Sequence, residues 1–245
     1  MRVHETLIHK ILRRSAIAFA FVALIAANLA MIVIAVARYP ALFSQPRARF
    51  AVVGPVAVLI VYAVVFVWIG RTRTRRFNWD KIMASAALYG LLGGILDVLN
   101  IAVENGIPIA LHIPALTIGV MLTLFGSWAV TGFQTTRTLG SIGAGVFAAI
   151  VSAGICMLLA VAGGFATQFF IHPPEPTHVS TWAEFKRSGW TDARAFGLAN
   201  TLDSALTHLV IAPNLALVFG GGASLLAQLR FGKRGNRISA ESTTR

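Results

Sequence analysis

Apolar residues in this chain come in six long blocks, separated by short polar or proline-containing segments. The blocks lack the polar residue at every third or fourth position that a soluble amphipathic helix shows. Each reaches the roughly 20 residues that a helix needs to cross a bilayer. The pattern predicts spans at about 15–37, 51–70, 82–103, 115–133, 141–169 and 201–229. The fifth is longer than a bilayer requires, so it is expected to tilt or protrude.

The segments between the blocks have their own signatures. Val3, Leu7, Ile8, Ile11 and Leu12 alternate at helical spacing with Arg2, His4, Lys10, Arg13 and Arg14, which predicts an amphipathic helix over 1–14 lying on the inner membrane surface. This charged start followed by an apolar block has the outline of a signal peptide. The apolar region is too long for one, and the first block is expected to stay as a span. Residues 171–200 form the one substantial loop, opened by the proline-rich IHPPEP. Within it, Thr181 and Glu184 have the spacing of a capping box. A short helix carrying Trp182, Phe185, Trp190 and Phe196 is expected there as an outer cap on the membrane surface. Residues 230–245 read as a disordered basic tail.

Composition agrees with this pattern: 56% of the 245 residues are apolar and only 12% charged, about half the charged share of a soluble domain. The net charge of +12 would suit nucleic acid, but the basic residues sit in short runs between apolar blocks, where they orient a membrane protein. No nucleic-acid module fits between the spans. With the N-terminus inside, fifteen Lys and Arg residues fall in inner segments and six in outer ones. The positive-inside rule therefore places both termini on the cytoplasmic side. The expected fold class is all-α, a polytopic bundle of about six spans, and the expected location a bacterial cytoplasmic (inner) membrane. The single cysteine, Cys156, lies in an apolar block and reads as a packing residue.

Helices in lipid associate through close packing at small residues. Gly90 and Gly94, the series Ser141, Gly145, Ala149 and Ala153, and Ala160 with Gly164 supply such faces. Pro213 is expected to kink the sixth span, and Gly220, Gly221 and Gly222 to loosen it.

Ionisable residues inside spans are costly and are functional candidates by default. Asp97, Asn100 and Glu104 fall at i, i+3 and i+7, on one face at the outer end of the third span. Asp203, Thr207 and His208 lie near the outer start of the sixth. His112, His172 and His178 are in outer segments, while Asn28 and Asn214 are deeper and read as helix-to-helix hydrogen bonds. Three arrangements could use these groups. One is an outward-facing pocket lined by Asp97, Asn100, Glu104, Asp203, Thr207 and His208, with the 171–200 loop as a lid and Trp182 or Trp190 stacking on a cation. Another is a metal site built from the histidines and a carboxylate, although no ligand spacing such as HExxH appears. In the third, the same groups serve only structure. No nucleophile elbow, phosphate loop or dinucleotide fingerprint occurs, and no motif names a cofactor.

In span number and size the chain resembles the substrate-binding membrane subunits of modular vitamin and metal importers. That likeness is one of topology and carries no site residue across. The favoured reading is binding or transport of a small cationic or polar solute through a pocket on the outer side. A structural or assembly subunit of a membrane complex comes next, and a membrane-embedded, metal-dependent enzyme third. The expected partners are the bilayer, the solute, and a second copy or another membrane subunit.

Overall fold

The apolar blocks form helices throughout. In the computed structural model, residues 2–44, 46–71, 79–106, 114–171 and 175–243 are described, with side chains over 20–43, 49–67, 79–104, 115–171, 175–176 and 179–231. The elements are α1 (Arg2–Arg38), α2 (Ala41–Ser44), α3 (Pro46–Arg71), α4 (Trp79–Gly106), α5 (Pro114–Leu139), α6 (Ile142–Ala166), a π-helical turn (Thr167–Ile171), α7 (Pro176–Val179), α8 (Ala183–Ser188) and α9 (Ala193–Thr243). Among the described residues there is no strand.

Six of the helices are long and apolar enough to cross a membrane: Ala20–Arg38, Arg49–Val67, Trp79–Glu104, Ala115–Leu139, Ile142–Ile171 and Ala193–Phe231. The architecture is that of an all-α, multi-pass membrane protein. Within the Ile142–Ile171 stretch, 72% of the most apolar segment is buried against protein, against 22% to 33% in the other five. Those five present exposed large apolar residues such as Val33, Val64, Leu122 and Val218, which is the surface a helix offers to lipid.

Helix boundaries follow local chemistry. Between α5 and α6 the turn is shorter than the QTTRTLG segment leads one to expect, because α5 continues to Leu139. Thr138 returns its hydroxyl hydrogen to the Gln134 carbonyl. Gly140 then takes the left-handed conformation at φ 67° and donates its N–H to Thr136 O at 2.8 Å, which closes the helix. Ser141 accepts from the Ala144 N–H at 3.3 Å and caps α6.

Four local expectations change. The N-cap of α8 is Trp182, whose side chain makes no capping bond, so Thr181 and Glu184 do not form a capping box. α9 begins at Ala193, earlier than its apolar pattern, because Asp192 Oδ1 accepts from the Ala195 N–H at 3.0 Å. At its other end the helix runs on to Thr243, through the segment expected to be disordered. At the N-terminus, α1 is a single helix from Arg2 to Arg38, so the amphipathic segment and the first span share one element.

The chain divides into two compact units: Met1–Arg73, Asp97–Ile113 and Met157–Val210 form one, and Thr74–Leu96, Pro114–Cys156 and Ile211–Arg245 the other. The second unit is organised by small residues. A Cβ on Gly90 would lie 2.7 Å from the Ser152 carbonyl oxygen. One on Gly132 would collide with the Gly220 carbonyl, and one on Gly220 with Ala149. Gly220 therefore does not loosen α9; it is where α6 comes into contact. In the first unit, Asn28 is fully buried and its Nδ2 donates to Leu24 O at 2.8 Å and Leu158 O at 2.9 Å, fastening α1 to α6.

Candidate functional site

All six predicted site residues belong to the first unit. Asp97 and Asn100 project from one face of α4 and are 3% and 6% exposed. The position of this face is fixed by close packing, since a Cβ on Gly163 of α6 would lie 2.5 Å from Val98. Asn100 Nδ2 donates to Glu104 Oε1 at 3.2 Å. An ionised carboxylate only accepts, so this bond fixes which way the amide points. It leaves Asn100 Oδ1 buried and without a hydrogen-bond partner among the described residues.

Beside that amide lies the Asp97 carboxylate, which receives no hydrogen bond among the described residues. His208 and Glu104 both act on it electrostatically. The Nδ1 atom of His208 lies 2.7 Å from the Ser204 carbonyl oxygen. A carbonyl only accepts, so Nδ1 carries the hydrogen and the free ring nitrogen is Nε2. Asp97, Asn100, Glu104 and His208 thus form one neighbourhood in which oxygen acceptors predominate.

Asp203 and Thr207 are placed differently. Asp203 and His208 are five residues apart on α9 and project about 140° apart around it. Asp203 faces a partly open cleft of about 440 Å³. Its walls come from Phe50 and Ala51 of α3, from Glu184, Arg187 and Ser188 of α8 with Trp190 beyond it, and from Phe196, Ala199 and Asn200 of α9. The single pocket expected from sequence is therefore two groupings. The Thr207 hydroxyl donates to the Asp203 carbonyl at 3.0 Å, a bond within its own helix.

The cleft depends on an aromatic hub. Phe196 is buried and makes edge contacts with Trp182, Phe185 and Trp190 at centroid distances of 6.4, 5.5 and 5.7 Å. Gly189 turns the chain after α8 at φ 76°. That left-handed conformation suits glycine and lets Trp190 return over Phe196. Trp190 lines the cleft, whereas Trp182 packs behind it. Glu184, Arg187 and Asn200 are lining residues that the sequence did not mark as site residues, Glu184 having been expected only as a helix cap. Their available signal was the three-residue spacing that pairs Glu184 with Arg187 and Asn200 with Asp203.

Of the histidines considered as metal ligands, His112, His172 and the His178 side chain lie outside the described residues. Among the described residues no three His, Cys, Asp or Glu side chains come together in a way that could hold a metal ion. Asn214 is exposed on α9.

Comparison with protein families, with curated proteins and with solved structures finds no match for the chain.

Proposed function

We propose that the protein binds a small cationic solute from the outer side of the membrane, on the acceptor face made by Asp97, Asn100 and Glu104, and that this site serves the solute's transport. One observation carries the reading. Asp97 and Asn100 are buried at the end of an apolar helix, and the Asn100 amide oxygen has no hydrogen-bond partner among the described residues. Burying a carboxylate costs several kcal/mol, against which His208 acts, and an orphaned amide oxygen adds about 1–3 kcal/mol. Ligands that supply positive charge and N–H donors offset both costs together. A small primary ammonium ion does so, while an anion would meet two carboxylates on one helix face. Deeper in the protein, the Asn28 Nδ2 is committed to the backbone of α1 and α6, while its Oδ1 is buried and has no partner among the described residues.

The test is equilibrium binding of methylammonium and ethanolamine to the full chain in lipid nanodiscs, with acetate as the anionic control. Saturable binding of the amines that falls at least about tenfold in Asp97→Asn, roughly 1.4 kcal/mol, supports the reading. Equal binding by the two proteins, or binding of acetate in place of the amines, contradicts it. Uptake of labelled methylammonium into proteoliposomes then tests transport separately.

A further inference from the structure

The cleft between α3, α8 and α9 is a second site, separate from the acceptor face on α4, and it combines features that a solute site in water would not need. Phe50 on its wall is 79% exposed and is the second residue of the membrane-crossing stretch Arg49–Val67. On the opposite wall, Asp203 lies in the third turn of α9, before its most apolar stretch. The cleft therefore sits where a span meets the headgroup layer, with an apolar lip on the side where acyl chains would run.

Its rim carries both signs of charge. Glu184 and Asp203 are carboxylates, and Arg187 is a guanidinium that, among the described residues, donates its Nε–H to the Ala183 carbonyl at 3.2 Å. Trp190 offers an indole to the same space, and indoles attract cations. The volume of about 440 Å³ falls in the usual range for small-ligand sites, roughly 300–1,000 Å³.

From these features we infer that the cleft binds the headgroup of a zwitterionic phospholipid with a primary ammonium, a phosphoethanolamine head. The ammonium lies against Asp203, Glu184 and the indole, the phosphate pairs with Arg187, and the acyl chains leave past Phe50. A primary ammonium fits better than a quaternary one because it brings three N–H donors to a wall of acceptors. An anionic headgroup with no ammonium would leave two carboxylates facing a negative charge.

The experiment is native mass spectrometry of the full chain released from mixed micelles containing equal amounts of phosphatidylethanolamine, phosphatidylcholine and phosphatidylglycerol. One retained phosphatidylethanolamine, favoured at least tenfold over each competitor, is the expected result. That preference should disappear in the Glu184→Gln, Asp203→Asn double variant and persist in Lys186→Gln, a neighbouring exposed lysine that does not line the cleft. Both cleft carboxylates are exposed, so their replacement leaves the packed core intact; the circular dichroism spectrum checks this. Equal retention of the three lipids, or an unchanged preference in the double variant, overturns the inference. Release of the lipid by water-soluble phosphoethanolamine at matching concentration also overturns it, since the cleft would then be a site for a free solute. Asp97→Asn should keep the lipid preference, so failure at the α4 face and failure at the cleft read out separately.

Discussion

The Tyr62 hydroxyl donates a hydrogen bond of 2.7 Å to the carbonyl oxygen of Leu209. In an uninterrupted helix that carbonyl would accept from the N–H of residue 213, but residue 213 is proline and has none. Tyr62 thus supplies from α3 the donor that α9 lacks, as membrane helices commonly require where proline interrupts them.

Tyr62→Phe should therefore destabilise the chain by about 1 kcal/mol, the scale of a hydrogen bond between membrane helices. In a Pro213→Ala background, residue 213 regains its own N–H, and the same change should cost much less. Reversible unfolding in mixed micelles across this double-mutant cycle checks the coupling. Equal costs in both backgrounds would show that the bond does not compensate for the proline.

Gly163 should tolerate no side chain. A Cβ there would lie 2.5 Å from Val98, one residue from Asp97, and overpacking of this kind costs roughly 1–3 kcal/mol. Gly163→Val should lower thermal stability and weaken amine binding, while Val98→Ala in the same chain should restore part of both. A fully stable, fully binding Gly163→Val protein would mean that α6 does not fix the acceptor face.

Asn28 should separate packing from binding. Asn28→Ala removes the donor shared by Leu24 O and Leu158 O, at a cost of about 1 kcal/mol. Thermal unfolding should register the loss, and amine affinity measured below the transition should stay unchanged. A drop in affinity matching that of Asp97→Asn would instead assign Asn28 to the ligand path.

Asp97→Asn itself should leave stability without solute unchanged or higher, because the desolvation cost of a buried carboxylate has been removed. A scan of melting temperature with and without ethanolamine checks this. The wild type should gain with ligand and the variant should not.

Much of the fold was legible because a membrane span needs only length and apolarity, and both can be read along one dimension. The start of α9 was not read correctly for the same reason. Its first turns are short of continuous apolar sequence and their start is set by the Asp192 cap, so a span-length apolar window begins too late. The acceptor face of Asp97, Asn100 and Glu104 followed from helical periodicity within one element. Nearness in sequence misled for Asp203 and His208, which leave opposite quarters of α9. The three-residue spacing of Glu184 and Arg187 puts them on one face of α8, but where that face points depends on Trp182, Phe185 and Trp190 gathering around Phe196.

The central claim rests on the buried Asp97 carboxylate and the unpartnered Asn100 amide oxygen, and ethanolamine binding by wild-type protein against Asp97→Asn in nanodiscs addresses it most directly. Saturable binding reduced at least about tenfold by that one change is the predicted result. Indistinguishable isotherms for the two proteins would contradict it.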